Sequence, residues 1–260
     1  EGDLAADLSL EAFGLDYLRP MMGEAISLSG ALNARANVSQ QDGVAPVLGL
    51  AVQAEDVELR TGGSLEGGGE LLLGAQSSEL QVNYDGTGLL ADLSMPFTGG
   101  GGIEASAEVP AGSDPLTQRP LRGELAFALA DLAFLSVLSP EIEKAAGTLN
   151  SDFRIAGTLE NPVPEGDLRL AEASVTLAAP GISITEIGVE MKSSAGGELS
   201  FDGQASSGEG MLSLSGSARL DGAQSVVDVS VEGDKFEAVN TLDAHVFLSP
   251  DLQIAVRETG

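Results

Sequence analysis

The chain has 260 residues, enough for one large or two ordinary domains. Its 43% hydrophobic content is Leu, Val, Ile and Ala, with 4% aromatics and no Trp, which suits repetitive strand surfaces better than a single jigsaw core. The net charge of −28, from 40 acidic and 12 basic residues, excludes nucleic acid and electrostatic membrane docking, and the lack of Cys excludes thiol catalysis, disulfides and Cys-ligated metal.

The opening EGDLAADLSLEAFGL already alternates as a strand does. LEAFGLDYLRPMMGEAI at 10–26 is a poor helix former because of Gly14 and Gly23. LNARANV puts Leu32, Ala34, Ala36 and Val38 on one face, with Asn33, Arg35 and Asn37 on the other. Asp85-Gly86 reads as a hairpin turn, GGSLEGGG at 62–69 and TGGGG at 98–102 as looser turns, and GSDPLTQRP at 112–120 as a link. DLAFLSVLSPEIEKAAG at 131–147 predicts a short helix, with Ser139 as N-cap, Pro140 at the first helical position and Gly147 as its stop. Leu132, Leu135, Leu138 and Ile142 would dock that helix on an apolar sheet or, alternatively, form a plug at a groove edge.

Alternating strands then dominate. Leu149, Phe153 and Ile155 face away from Asn150, Asp152 and Arg154. Leu168 and Leu170 share a face that Val175 and Leu177 rejoin after a bulge. Ile182 and Ile184 precede a parity slip, after which Ile187, Val189 and Met191 alternate. Leu199 and Phe201, then Leu212, Leu214 and Leu220, then Val227, Val229 and Val231 follow, with hairpin signals at Asp202-Gly203 and Asp221-Gly222. The closing LSPDLQIAVRETG ends in the same pattern, and no signal peptide and no apolar run of ~20 residues occurs. The chain is therefore expected to be a fragment of something longer.

The sequence also repeats itself. Pro20 aligns with Pro140, Gly30 with Gly147, Leu32 with Leu149, Asn33 with Asn150, Val57 with Val175 and Leu59 with Leu177. This predicts repeats over 1–118 and 119–225, with a helix near 131–146, and a following strand segment over 226–260. Nothing suggests an enzyme. The sole His245 sits on an alternating strand without a nucleophile signature, and the Gly-rich loops lack the Lys-Ser/Thr ending of a phosphate loop. No catalytic residue, metal site or cofactor is expected.

The stretch from LSPEIEKAAG through LNSDFRIAGTLENP, GDLRL, PGISI and GMLSLSGSARL resembles the TamB family of translocation and assembly module subunits, in its carboxy-terminal region. That family lies within the AsmA-like group of envelope-spanning bridges. The resemblance implies an elongated, curled, U-shaped β-sheet, a taco-like groove with an apolar lumen and one or two short helices. It also implies a periplasmic protein of a Gram-negative bacterium, anchored in the inner membrane as a full-length chain and working with a TamA-like outer-membrane barrel partner. The implied functions are movement of phospholipid between membranes and assembly of outer-membrane proteins.

Physical reasoning reaches a similar place. A sheet wet on one face must hide the other by pairing with a second sheet, closing into a barrel or curling into a trough. As a trough, with five or six strands per repeat at ~4.8 Å spacing, the chain makes a groove on the order of 50–60 Å long. A 16-carbon acyl chain faces a barrier of roughly 12 kcal/mol in water, at about 0.8 kcal/mol per CH₂, and an apolar lumen removes most of it. The candidate lipid-binding residues are Leu149, Phe153, Ile155, Leu168, Leu170, Val175, Leu177, Ile184, Val189, Met191, Leu199, Phe201, Leu212 and Leu214. The bland alternative for them is an ordinary sandwich core. The rival function is strand binding at an open sheet edge during outer-membrane protein insertion. A truncated trough has raw ends, which a dimer would cover.

Overall fold

The computed structural model describes residues 3–18, 21, 26–61, 71–139, 141–194, 196, 198–221 and 224–259. Among them, the alternating segments form sixteen strands, as period-two patterning requires. In the first part of the chain these are β1 (Leu4–Gly14), β2 (Ile26–Gln40), β3 (Val47–Thr61), β4 (Leu71–Tyr84), β5 (Leu89–Pro96), β6 (Gly101–Val109) and β7 (Arg122–Leu129). A short helix α1 (Leu135–Leu138) leads to β8 (Ile142–Gly157), β9 (Pro162–Leu177), β10 (Ile182–Ser193), β11 (Glu198–Ser207), β12 (Gly210–Asp221) and β13 (Gln224–Asp234). A hairpin of β14 (Phe236–Asn240) and β15 (His245–Leu248) precedes the last strand, β16 (Asp251–Thr259). Fourteen strands make one antiparallel sheet that follows sequence order from β1 to β13, then β16, and does not close. The fold is all-β. The chain divides into two compact units, Glu1–Phe127 with Arg154–Val163, and Ala128–Phe153 with Pro164–Gly260.

In the first unit, three neighbouring strands break register within a few residues of one another, β1–β2 between Ala34 and Leu32 and β2–β3 between Ser29 and Ala31. Ala12 in β1 and Asp56 in β3 have φ of 49°, and Gly30 between them in β2 has φ of 128°. A Cβ on Gly30 would lie 2.9 Å from the Glu55 carbonyl oxygen, so this close approach needs glycine. Aligned bulges bend their strands together, which gives the sheet local curvature without a second layer. The buried apolar residues Leu15, Ala75, Phe97, Val109 and Leu121 are few, and Phe97 meets Phe127 edge-on with ring centroids 6.4 Å apart.

The turn after β4 confirms the Asp85-Gly86 signal. Asp85 Oδ1 accepts hydrogen bonds from Thr87 N–H at 2.8 Å, Thr87 Oγ1 at 2.7 Å and Gly88 N–H at 2.7 Å. The Gly88 amide, then the Thr87 hydroxyl and amide, hold the carboxyl down to about 2. Because the folded value is depressed, the turn is fully stabilised above the unfolded value of 3.8 and weakens as pH falls through about 2. We expect Asp85 to titrate near 2 in a carboxyl-carbon NMR titration. A midpoint near 3.8 would refute the turn geometry.

Arg119 locks the link at 112–120 onto the same end of the unit. It is 6% exposed, its Nη1 donates to the carbonyls of Thr87 and of Pro110, the latter at 3.3 Å, and its Nε has no hydrogen-bond partner. Arg119→Ala orphans both carbonyls and strips a buried stem, which should cost the first unit about 2 kcal/mol in urea unfolding. Arg119→Lys should recover only part of it, because one ammonium cannot reproduce the fork.

The second unit repeats the bulge device. Gly147 in β8 has φ of 133°, and Glu172 in β9 and Glu186 in β10 both have φ of 52°. The two glutamates sit at the slips read between Leu170 and Val175 and between Ile184 and Ile187, where the pairing register shifts. The hairpin β14–β15 crosses the turns that end β9–β12. Ser207 Oγ donates to the Glu237 carbonyl at 2.7 Å, and Asn240 N–H to the Pro180 carbonyl at 2.7 Å. Here the buried apolar residues are Leu129, Leu132, Ala173 and Ile182.

Two local expectations are corrected. A short helix does fall within 131–146, but it is only α1, and Ser139 closes it in extended conformation instead of opening it. Ile142 to Gly147, expected as its body, belongs to strand β8, where pairing with neighbouring strands overrides a weak helical preference. Asp202-Gly203 is not a turn: both residues lie inside β11, with Asp202 opposite Glu190 and Ser215. The chain reverses after Ser207 instead, where Gly208 has φ of 61°. The expected turn at 62–69, Pro20 and Gly23 of the 10–26 segment, Pro140 at the expected first helical position, and Gly222 lie outside the described residues.

Candidate functional site: a one-sided apolar face

Residues directly opposite each other in an antiparallel ladder share a face, so the pairing register turns sequence alternation into rows across the sheet. In the second unit one row is Leu168, Met191, Phe201, Gly216, Val229 and Ile254. The next is Leu170, Val189, Gly203, Leu214, Val231 and Leu252. A third continues through Leu199, Ala218, Val227 and Val256. The Phe201 ring lies across Gly216, where any Cβ would collide with it, so the aromatic lies flat on the face.

These rows contain Leu168, Leu170, Val189, Met191, Leu199, Phe201 and Leu214, and Leu212 lies beside them opposite Ala205. Past the bulges, Val175 pairs with Ile184 and Leu177 with Ile182. Leu149 and Phe153 lie on β8, and the Phe153 Cα is 2.8 Å from where a Cβ on Gly166 would stand. Ile155 falls in the first unit, against Gly123. All fourteen candidates are half-buried. The candidate list omitted Leu252, Ile254 and Val256 of β16, although they alternate equally well; they are 52, 50 and 54% exposed. Apart from Ile155 it also omitted the first unit, where Leu8, Ala36, Leu50, Val82, Ala91 and Ala107 form a row, beside Leu10, Ala34, Val52, Leu80, Leu93 and Ala105.

The other face is polar. Arg169 faces Glu190 at 3.7 Å and Arg219 faces Glu198 at 3.3 Å, both exposed pairs worth about 0–1 kcal/mol. A concavity of about 660 Å³ over β9–β11 is lined by polar and apolar side chains alike, Arg169, Glu172, Glu190 and Gln204 together with Leu170, Ile187 and Val189. His245 is on the β14–β15 hairpin, its Nε2 2.5 Å from Glu237 Oε1 and its ring 4.4 Å from Phe247. Among the described residues, no group of His, Asp and Glu converges as metal ligands do, and no helix is long and apolar enough to cross a membrane.

A sheet packed in a sandwich buries its dry face completely. Here the residues of these rows stay half-buried or exposed, and the fully buried apolar side chains lie near the strand ends and bulges.

A family model described as TamB, N-terminal domain, matches residues 2–170. The match takes in the chain ahead of LSPEIEKAAG as well as that motif, and it describes the amino-terminal domain, whereas the motifs from LSPEIEKAAG to GMLSLSGSARL resemble the carboxy-terminal region. No solved structure matches the chain. The chain belongs to the TamB family, whose members are bridge or transport-type proteins of envelope biogenesis.

Proposed function

We infer that the apolar face carries phospholipid acyl chains, as one segment of a periplasmic bridge between the inner and outer membranes of a Gram-negative bacterium. One observation carries this reading: continuous rows of aliphatic side chains share one sheet face and remain only half-buried. Monomeric proteins rarely leave so large an apolar surface uncovered unless something binds it. Six strands at ~4.8 Å spacing make the second unit's rows about 24 Å long, more than the ~15 Å that one leaflet contributes to a bilayer core. An acyl chain lying along a row keeps each CH₂ out of water at about 0.8 kcal/mol apiece, while its head group stays wet.

The expected roles of the full-length protein follow from the same reading: an inner-membrane anchor and cooperation with a TamA-like barrel partner. A second reading draws on the unpaired edges of β1 and β16. Leu4, Leu8 and Leu10 on β1 are 55, 72 and 43% exposed, so an incoming strand from an outer-membrane protein would gain both ladder bonds and apolar contacts. Native mass spectrometry of the chain purified without detergent separates the two. Co-purifying phospholipid near unit stoichiometry supports carriage. An apo mass that refuses added lipid but takes up unfolded barrel peptides supports strand binding, and a doubled mass reveals pairing of two copies at the edges.

A further inference from the structure

The end of the first unit where β2 turns into β3 and β4 into β5 is lined by carboxylates. Asp3 precedes β1, Asp42 lies in the turn after β2, Asp85 in the turn after β4, Glu108 at the end of β6 and Asp114 in the link beyond it. All five are exposed. The hydrogen bonds to Asp85 keep it ionised at any physiological pH. Among the described residues at this end, the bases are Arg122 at the start of β7 and Arg119, which is buried under the Thr87 and Pro110 carbonyls. The apolar rows run up to this rim: Val38, Leu48, Tyr84, Leu89 and Val109 form the last of them. The chain as a whole, with 40 acidic and 12 basic residues, offers no compensating positive field.

We propose that this face takes diacyl lipids whose head groups carry no net negative charge, such as ammonium-bearing zwitterions, and rejects anionic ones. The proposal rests on the acyl-chain reading above and adds selection by charge. A lipid seated in the rows holds its phosphate at the aqueous margin. A zwitterion sets its ammonium against the rim carboxylates and cancels its own phosphate, whereas an anionic head group adds an uncompensated charge to a field that already opposes it. The apolar contacts are the same for both lipids, so discrimination lies in the head group alone.

The test uses the full chain and two acyl-labelled lipids of identical chains, phosphatidylcholine and phosphatidylglycerol. Each is diluted to trace level in neutral phosphatidylcholine vesicles, so that vesicle encounter is equal. At about 10 mM ionic strength, where screening extends ~30 Å, phosphatidylcholine should load about ten-fold more than phosphatidylglycerol. In 1 M salt, where it extends ~3 Å, the gap should close. Combining Asp3→Asn, Asp42→Asn, Glu108→Gln and Asp114→Asn should raise the phosphatidylglycerol-to-phosphatidylcholine ratio several-fold. Equal loading of both lipids at low salt overturns charge selection and leaves acyl carriage standing. An unchanged ratio in the four-fold variant overturns the assignment to this rim. No loading of either lipid overturns acyl carriage itself, and selection with it.

Discussion

Replacing Leu170 with Glu and Val189 with Lys should empty the second unit of lipid and leave its sheet folded. The two residues face each other directly across β9 and β10, half-buried at the β9 end of an apolar row. Opposite charges at a cross-strand pair attract by roughly 0.2–1 kcal/mol, which offsets part of the packing lost. A lipid gains nothing from the exchange. If the charges lift about four methylenes from the face, at about 0.8 kcal/mol each, binding weakens by ~3 kcal/mol, or somewhat more than 100-fold. Lipid occupancy by native mass spectrometry and strand content by far-ultraviolet circular dichroism read the two halves of this expectation. Glu190→Ala, one residue along on the polar face, is the control and should keep its lipid. Unchanged occupancy in a folded L170E/V189K variant would sink acyl carriage by this face.

Gly147→Val should strongly destabilise the second unit. The residue has φ of 133°, which costs a β-branched side chain about 1–3 kcal/mol. Its Cβ would also stand 2.6 Å from the Cβ of Ala173, itself only 4% exposed, and such overpacking costs about 1–3 kcal/mol more. A loss of about 3 kcal/mol or more is a large share of the ~5–15 kcal/mol that holds an ordinary domain together. With a urea slope of about 2–3 kcal/mol/M, the midpoint of the affected transition should fall by roughly 1 M or more. Gly99→Ala, at a position with nothing within 4 Å, should leave it unmoved. If Gly147→Val unfolds at the wild-type midpoint, the bulge does not hold the bend.

Much of this fold was legible because its main signal is local. A side-chain period of two shows within five residues, and LNARANV, DLRL and the LSLSGSA of 212–218 all became strands with their apolar side chains on one face. Even the parity slips were readable, since a bulge must shift the pattern by one, and Glu172 and Glu186 stand where the pattern slipped. The 131–147 segment went the other way. Its Ser139-Pro140 start and Gly147 stop satisfied every local helix rule, yet Ile142 onward joined the sheet, because ladder bonds and cross-strand packing outweigh a few tenths of a kcal/mol of local preference per residue.

The sequence by itself determined the strand pattern, the acidic surface, the repeated Gly30 and Gly147 and the family, each a property of residues close together in the chain or of their sum. The tertiary structure alone decided which alternating segments lie opposite one another. It set Leu170 against Val189 and Phe201 over Gly216, added β16 to the rows, lined up the bulges and gave Ile155 to the other unit. Register is a relation between distant segments, fixed by turn length and by the fit of side chains across the ladder, and neither is written within any one strand.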